Sequence, residues 1–116
     1  EAAFEEKVVA RLREFYGPEM VKPQYRFEES GRVADILLHG PLASFAIEIE
    51  NDWEAAIKGI GQAVVYASEV GPIVPVVCLP RGHTEMPEAE NVRNWGTLIV
   101  EYDEQTQEFY SGVMPR

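Results

Sequence analysis

Three acidic residues lie inside or at the end of strand-like apolar runs, and they limit how those strands can pack. Glu48 and Glu50 close the run that begins at Ser44, and Asp35 lies in an earlier run, thirteen positions before Glu48. Side chains alternate between the two faces of a strand, so Glu48 and Glu50 share one face. If the two runs pair, Asp35 can lie beside Glu48. Two unit charges about 5 Å apart repel by roughly 3 kcal/mol at an effective dielectric of about 20, so such a cluster indicates a bound divalent cation or a raised pKa.

The alternative is that the two glutamates form a solvated strand face, which is common for charged side chains. The segment that follows favours a site. Residues 53–68 have helical periodicity with an apolar stripe, and the opposite side carries Lys58, Gln62 and Tyr66 at intervals of four. These side chains supply a cation, an amide and a phenol, which suit contacts with a phosphate, a metal-bound water and a base or sugar. For Lys58 alone, a solvated surface lysine is the simpler interpretation.

Hydrophobic periodicity predicts a single α/β domain over residues 1–116, with a mixed sheet. The segments with a period of 3.6 residues are predicted helices, at 2–16 and 53–68. The segments with alternating or continuous apolar residues are predicted strands, at 24–28, 32–38, 44–50, 74–79, 97–102 and 108–110.

The composition restricts location and partners. No apolar run is long enough for a transmembrane helix, and no signal peptide is visible. The single cysteine, Cys78, lies in an apolar run and fits a small core residue in a reduced, cytoplasmic protein. The net charge of −10 disfavours a nucleic-acid partner. A lysine-poor, acidic chain also suits concentrated salt, where the screening length falls to about 3 Å at 1 M and repulsion from DNA matters little.

Three short motifs, taken in order, resemble the PD-(D/E)XK nuclease superfamily. They are Asp35, then Glu48-Ile49-Glu50, then the Gln-x-x-x-Tyr element of Gln62 and Tyr66. The helix element resembles that of the RecB-type branch. The resemblance implies a restriction-endonuclease-like core, a central mixed sheet flanked by helices in the order α-β-β-β-α-β-β-β. It also implies metal-dependent hydrolysis of DNA phosphodiesters with Mg²⁺ or Mn²⁺.

The resemblance assigns roles to individual residues. Asp35 and Glu48 would bind the metal, with the backbone carbonyl of Ile49 as a further ligand. Glu50 occupies the position of the family's lysine. Either Glu50 acts as general base or as ligand to a second metal, or Lys58 supplies the missing charge.

Further residues complete the expected site. Gln62 and Tyr66 would orient the substrate, and Glu5 or Glu6 in the first helix could add a carboxylate. Arg81 is among the candidates for phosphate contacts. The acidic charge and the missing lysine favour a second hypothesis, a catalytically inactive nuclease-like protein that binds DNA or assists assembly. A third hypothesis is a metal-binding structural module, and the family also makes a homodimer an open expectation.

Overall fold

The computed structural model describes residues 2–28, 31–52, 73–82 and 97–111. Within these ranges no helix is long and apolar enough to cross a membrane. The elements are, in chain order, helix α1 (Ala2–Tyr16), a 3₁₀-helix (Pro18–Met20), β1 (Val21–Arg26), β2 (Val33–His39), β3 (Ser44–Ile49), β4 (Ile73–Pro80), β5 (Leu98–Asp103) and β6 (Glu108–Ser111).

Helix α1 matches the predicted segment 2–16, and its apolar stripe faces the sheet. Phe4, Val8 and Leu12 are spaced four residues apart and are buried. Phe15, which the spacing also places on the stripe, is instead 65% exposed. The helix ends just after it, since Gly17 has a φ of +96° that favours glycine.

The six strands form one mixed sheet in the order β1-β2-β3-β4-β5-β6. Neighbours run antiparallel from β1 to β3 and again between β5 and β6. The central strands β3, β4 and β5 are parallel. The predicted α/β class and mixed sheet are therefore confirmed, and the bounds of β2 to β6 lie within one residue of those predicted.

The first strand differs from the prediction of 24–28, because it begins at Val21 and ends at Arg26. Pro23 lacks an N–H group but is tolerated because β1 is an edge strand. Phe27 leaves the strand, and its backbone N–H donates to the carbonyl of Arg32 in the following turn.

The element order also differs from the predicted α-β-β-β-α-β-β-β. A 3₁₀-helix stands between α1 and β1, and the predicted second helix, at 53–68, lies outside the described residues. The restriction-endonuclease-like core is therefore not confirmed.

The two faces of the sheet have different roles. The face that packs on α1 is apolar, with Ile47 and Ile49 of β3 in its core cluster. The opposite face carries Ala46, which belongs to a second apolar cluster, and the buried Glu48. The alternation along β3 thus puts Glu48 on the face away from α1.

Candidate metal centre

Asp35 and Glu48 lie opposite each other on β2 and β3. The two strands pair from His39 with Ser44 to Ile36 with Ile47, and one further step in this register places Asp35 against Glu48. The predicted pairing is confirmed by the contacts between them. Like charges directly opposite on a sheet destabilise it, so this arrangement needs compensation.

Side chains take over the hydrogen bonding between the strands at this point. The backbone N–H of Ile49 donates to Oδ2 of Asp35 at 2.8 Å. In the reverse direction, the backbone N–H of Asp35 donates to Oε2 of Glu48 at 3.3 Å. Each carboxylate is therefore oriented by the backbone of the neighbouring strand. The carbonyl of Ile49 as a metal ligand stays a prediction.

Glu50 completes the cluster immediately after β3. Its backbone N–H donates to the carbonyl of Cys78 on β4 at 3.0 Å, which continues the parallel pairing. One carboxylate oxygen from each of Asp35, Glu48 and Glu50 lies within 4.8 Å of the others. Oxygens on opposite sides of Mg²⁺ are roughly 4.2 Å apart, and roughly 4.6–5.2 Å apart around Ca²⁺. The donor type and the spacing both fit a hard divalent cation after small side-chain movements.

Burial and neighbouring charge act together on Glu48. Its side chain is only 5% exposed, and burial raises its pKa from 4.5 to about 8, with the negative charge of Asp35 as the next cause. The hydrogen bond from the backbone of Asp35 opposes the rise. The charges of Glu50 and Glu5 add to the rise. A bound cation would offset this cost because it favours the ionised carboxylate.

Glu5 of α1, one of the two predicted additions, lies close enough to raise the pKa of Glu48. It is half-buried, whereas Glu6 is exposed. Nε2 of Gln24 donates to Oε2 of Glu5 at 2.7 Å. Glu5, and not Glu6, is therefore the first-helix acid that approaches the cluster.

Gln24 was missed by the sequence argument. It has a φ of +51° inside β1, a conformation that costs roughly 1–2 kcal/mol for a residue with a side chain. The register that pairs Pro23 with Ile36 and Tyr25 with Ala34 places Gln24 opposite Asp35. Gln24 is connected to the site by this cross-strand register and by its hydrogen bond to Glu5, and no local sequence pattern shows either.

The other predicted site residues fall outside the described part of the chain. Lys58, Gln62 and Tyr66 all belong to the segment between β3 and β4 for which no structure is described, so their roles stay predictions. Cys78 is buried as predicted, and burial raises the pKa of its thiol to about 12. Its position in the core cluster confirms the interpretation as a core residue, and buried thiols are inert.

Comparison of the chain with models of protein families, with curated proteins and with solved structures finds no match. The candidate centre is therefore defined by its own geometry, three carboxylates whose oxygens lie within 4.8 Å of one another beside β2 and β3.

Proposed function

We propose that this domain is a divalent-cation-dependent nuclease that hydrolyses DNA phosphodiesters. The main observation in support is the cluster of Asp35, Glu48 and Glu50, whose carboxylate oxygens lie within 4.8 Å of one another. A buried glutamate whose pKa is raised to about 8 supports a binding role, because perturbed carboxyl groups concentrate at functional sites. The resemblance of the acidic motifs to the PD-(D/E)XK nucleases favours DNA over other phosphodiesters.

In this proposal Asp35 and Glu48 hold the cation, and Glu50 lies beside them. A divalent cation bound there would polarise the phosphodiester and activate a water molecule. Glu48 would hold the cation as the ionised carboxylate, while the N–H group of Ile49 keeps the Asp35 carboxylate in place. Glu50 is the candidate general base that accepts the proton of the attacking water on a carboxylate oxygen.

The proposed fold is the restriction-endonuclease-like core. Its support is the described order of one helix followed by three strands, α1 and then β1 to β3, with a fourth strand, β4, parallel to β3. Both acids of the resemblance lie on adjacent strands, β2 and β3, as the family's motif order requires.

A second candidate is a cation-binding, nuclease-like protein without catalysis. Glu50 favours it, since it puts a negative charge where the family has a lysine. The net charge of −10 also favours it, because it opposes the approach of DNA.

Calorimetric titration with Mg²⁺, Mn²⁺ and Ca²⁺ tests the site, and cleavage of single-stranded, duplex and branched DNA tests the reaction. Asp35→Asn and Glu48→Gln should abolish both cation binding and cleavage. Glu19→Gln, at an exposed position of the 3₁₀-helix, is the control with the same change of charge. Each variant is first checked for folding by circular dichroism.

The outcomes separate the two candidates. Cation binding together with cleavage from low to molar salt supports the nuclease. Cation binding without cleavage of any DNA form supports the non-catalytic protein. If Asp35→Asn and Glu48→Gln leave the cation titration unchanged, the carboxylate cluster is not the site and both candidates fail.

A further inference from the structure

Arg81 follows β4 directly, and two contacts fix its guanidinium group. Nη1 donates to Oε1 of Glu101 at 3.0 Å. The guanidinium carbon lies 3.7 Å from the centroid of the Tyr110 ring. Glu101 and Tyr110 are register partners on β5 and β6, so both side chains rise from the same face of the sheet. The plane of the guanidinium is thus held at one edge by a carboxylate and at one face by an aromatic ring.

The ion pair is asymmetric in its exposure. The side chain of Glu101 is 1% exposed, whereas that of Arg81 is 51% exposed. A guanidinium has five N–H donors, and the half of the side chain that reaches solvent can present donors to an external anion. For stability alone, apolar residues often replace a buried ion pair without loss. The pair therefore suits a role that needs a fixed arginine at the surface.

The register places Glu101, the partner of Arg81, two strands away from Glu48 on the same face of the sheet. Glu48 pairs with Val77 on β4, and Leu79, two residues further on the same face, pairs with Glu101 on β5. Glu101 lies two strands across the sheet from Glu48 and two residues further along the strand direction. These two displacements put the Cα atoms of Glu48 and Glu101 roughly 12 Å apart. Arg81 leaves β4 at the same edge, where the parallel strands end.

We propose that Arg81 binds a phosphate group of a nucleic-acid strand, next to the phosphate on which the carboxylate cluster acts. This inference rests on the proposed nuclease function. Guanidinium groups bind phosphate oxygens through two parallel N–H donors, and phosphate contacts of this kind fix the register of a strand. The net charge of the chain is −10, so long-range electrostatic attraction does not bring a nucleic-acid strand into position. A fixed short-range hydrogen-bond donor such as Arg81 would position it instead.

The test measures binding of a labelled single strand and of the matching duplex by fluorescence anisotropy, with Ca²⁺ present, over a range of salt. Arg81→Gln is combined with Glu101→Gln, so that the buried carboxylate of Glu101 is not left without its guanidinium partner. We expect about tenfold weaker binding, because hydrogen bonds to charged groups have about this effect. The binding constant decreases with salt, and the negative slope of log K against log salt concentration should become shallower, by about 0.7 for the single strand and about 0.9 for the duplex.

Arg13→Gln combined with Glu19→Gln is the matched control, because both residues are exposed and the pair of changes also leaves the net charge unchanged. Arg81→Lys keeps the charge but loses the planar fork, and it should weaken binding with a smaller change in slope. Thermal unfolding of each variant shows whether the fold is kept.

The results distinguish the two proposals. If the parent protein binds DNA and the Arg81→Gln/Glu101→Gln variant binds with the same affinity and slope, the assignment of Arg81 is overturned while the nuclease proposal stands. An equal loss in Arg13→Gln/Glu19→Gln also overturns it, because the effect would then not depend on Arg81. If the parent protein neither binds nor cuts DNA with a divalent cation, the nuclease proposal fails and this inference fails with it.

Discussion

The buried glutamate of the candidate centre should make the cation-free protein less stable as pH rises. The pKa of Glu48 rises from 4.5 to about 8, first through burial and then through the charge of Asp35. A difference of about 3.5 pKa units corresponds to about 5 kcal/mol. The folded state keeps this proton while the unfolded chain releases it, so the free energy of unfolding decreases from about pH 4.5 to about pH 8. Above pH 8 both states are ionised and this contribution is constant.

Urea unfolding in EDTA from pH 4.5 to pH 9 measures this loss. The expected decrease of up to about 5 kcal/mol is large against the 5–15 kcal/mol stability typical of a domain. Glu48→Gln has the same shape and no titrating proton, so it should lose most of this pH dependence. Glu19→Gln, at an exposed position, should keep the slope of the parent protein.

The same proton should compete with the cation. Cation binding requires the ionised carboxylate, so the affinity should fall about tenfold for each pH unit below 8. Calorimetry in buffers of different ionisation enthalpy should show about one proton released per cation near pH 6.5, and almost none at pH 9. Parallel unfolding curves for the parent and Glu48→Gln, or a cation affinity that does not change between pH 6 and pH 9, would refute the reasoning.

Three further predictions concern neighbouring residues. Glu50→Gln should slow cation-dependent cleavage, because it removes the proposed general base, and should lower the pKa of Glu48, because it removes one of the charges that raise it; cleavage assays and the pH dependence of unfolding check this. Gln24→Gly should raise the free energy of unfolding by up to about 1 kcal/mol, because glycine tolerates the positive φ, yet it should weaken cation binding because Glu5 loses its hydrogen-bond donor. Cys78 should not react with a maleimide at pH 8 until the protein unfolds, since its thiol is buried with a pKa of about 12.

Features with a local period could be predicted from the sequence. The helical spacing of Phe4, Val8 and Leu12 predicts α1, and the alternation along β3 predicts that Glu48 shares a face with Ala46. The pairing of Asp35 with Glu48 was predictable as well, because two consecutive strands joined by a short turn pair antiparallel.

Features that depend on distant contacts could not be predicted in the same way. Gln24 meets Glu5 across a separation of nineteen residues, and Arg81 meets Glu101 across twenty. The exposure of Phe15 depends on where α1 ends over the sheet. The spacing of Phe15 predicts burial, and the spacing of Gln24 and Arg81 does not indicate their partners.

Several unfavourable features lie near one end of the sheet. Glu48 is a buried carboxyl group beside another acid, and Gln24 has a strained backbone conformation. Each feature costs free energy, and an apolar residue at position 48 or a glycine at position 24 would give a more stable sheet. Local features that oppose stability are expected at functional sites, where the surrounding structure compensates for them. A divalent cation relieves the repulsion between Glu48 and Asp35 but leaves the backbone of Gln24 as it is, so the strain at Gln24 is best explained by the contact it makes with Glu5.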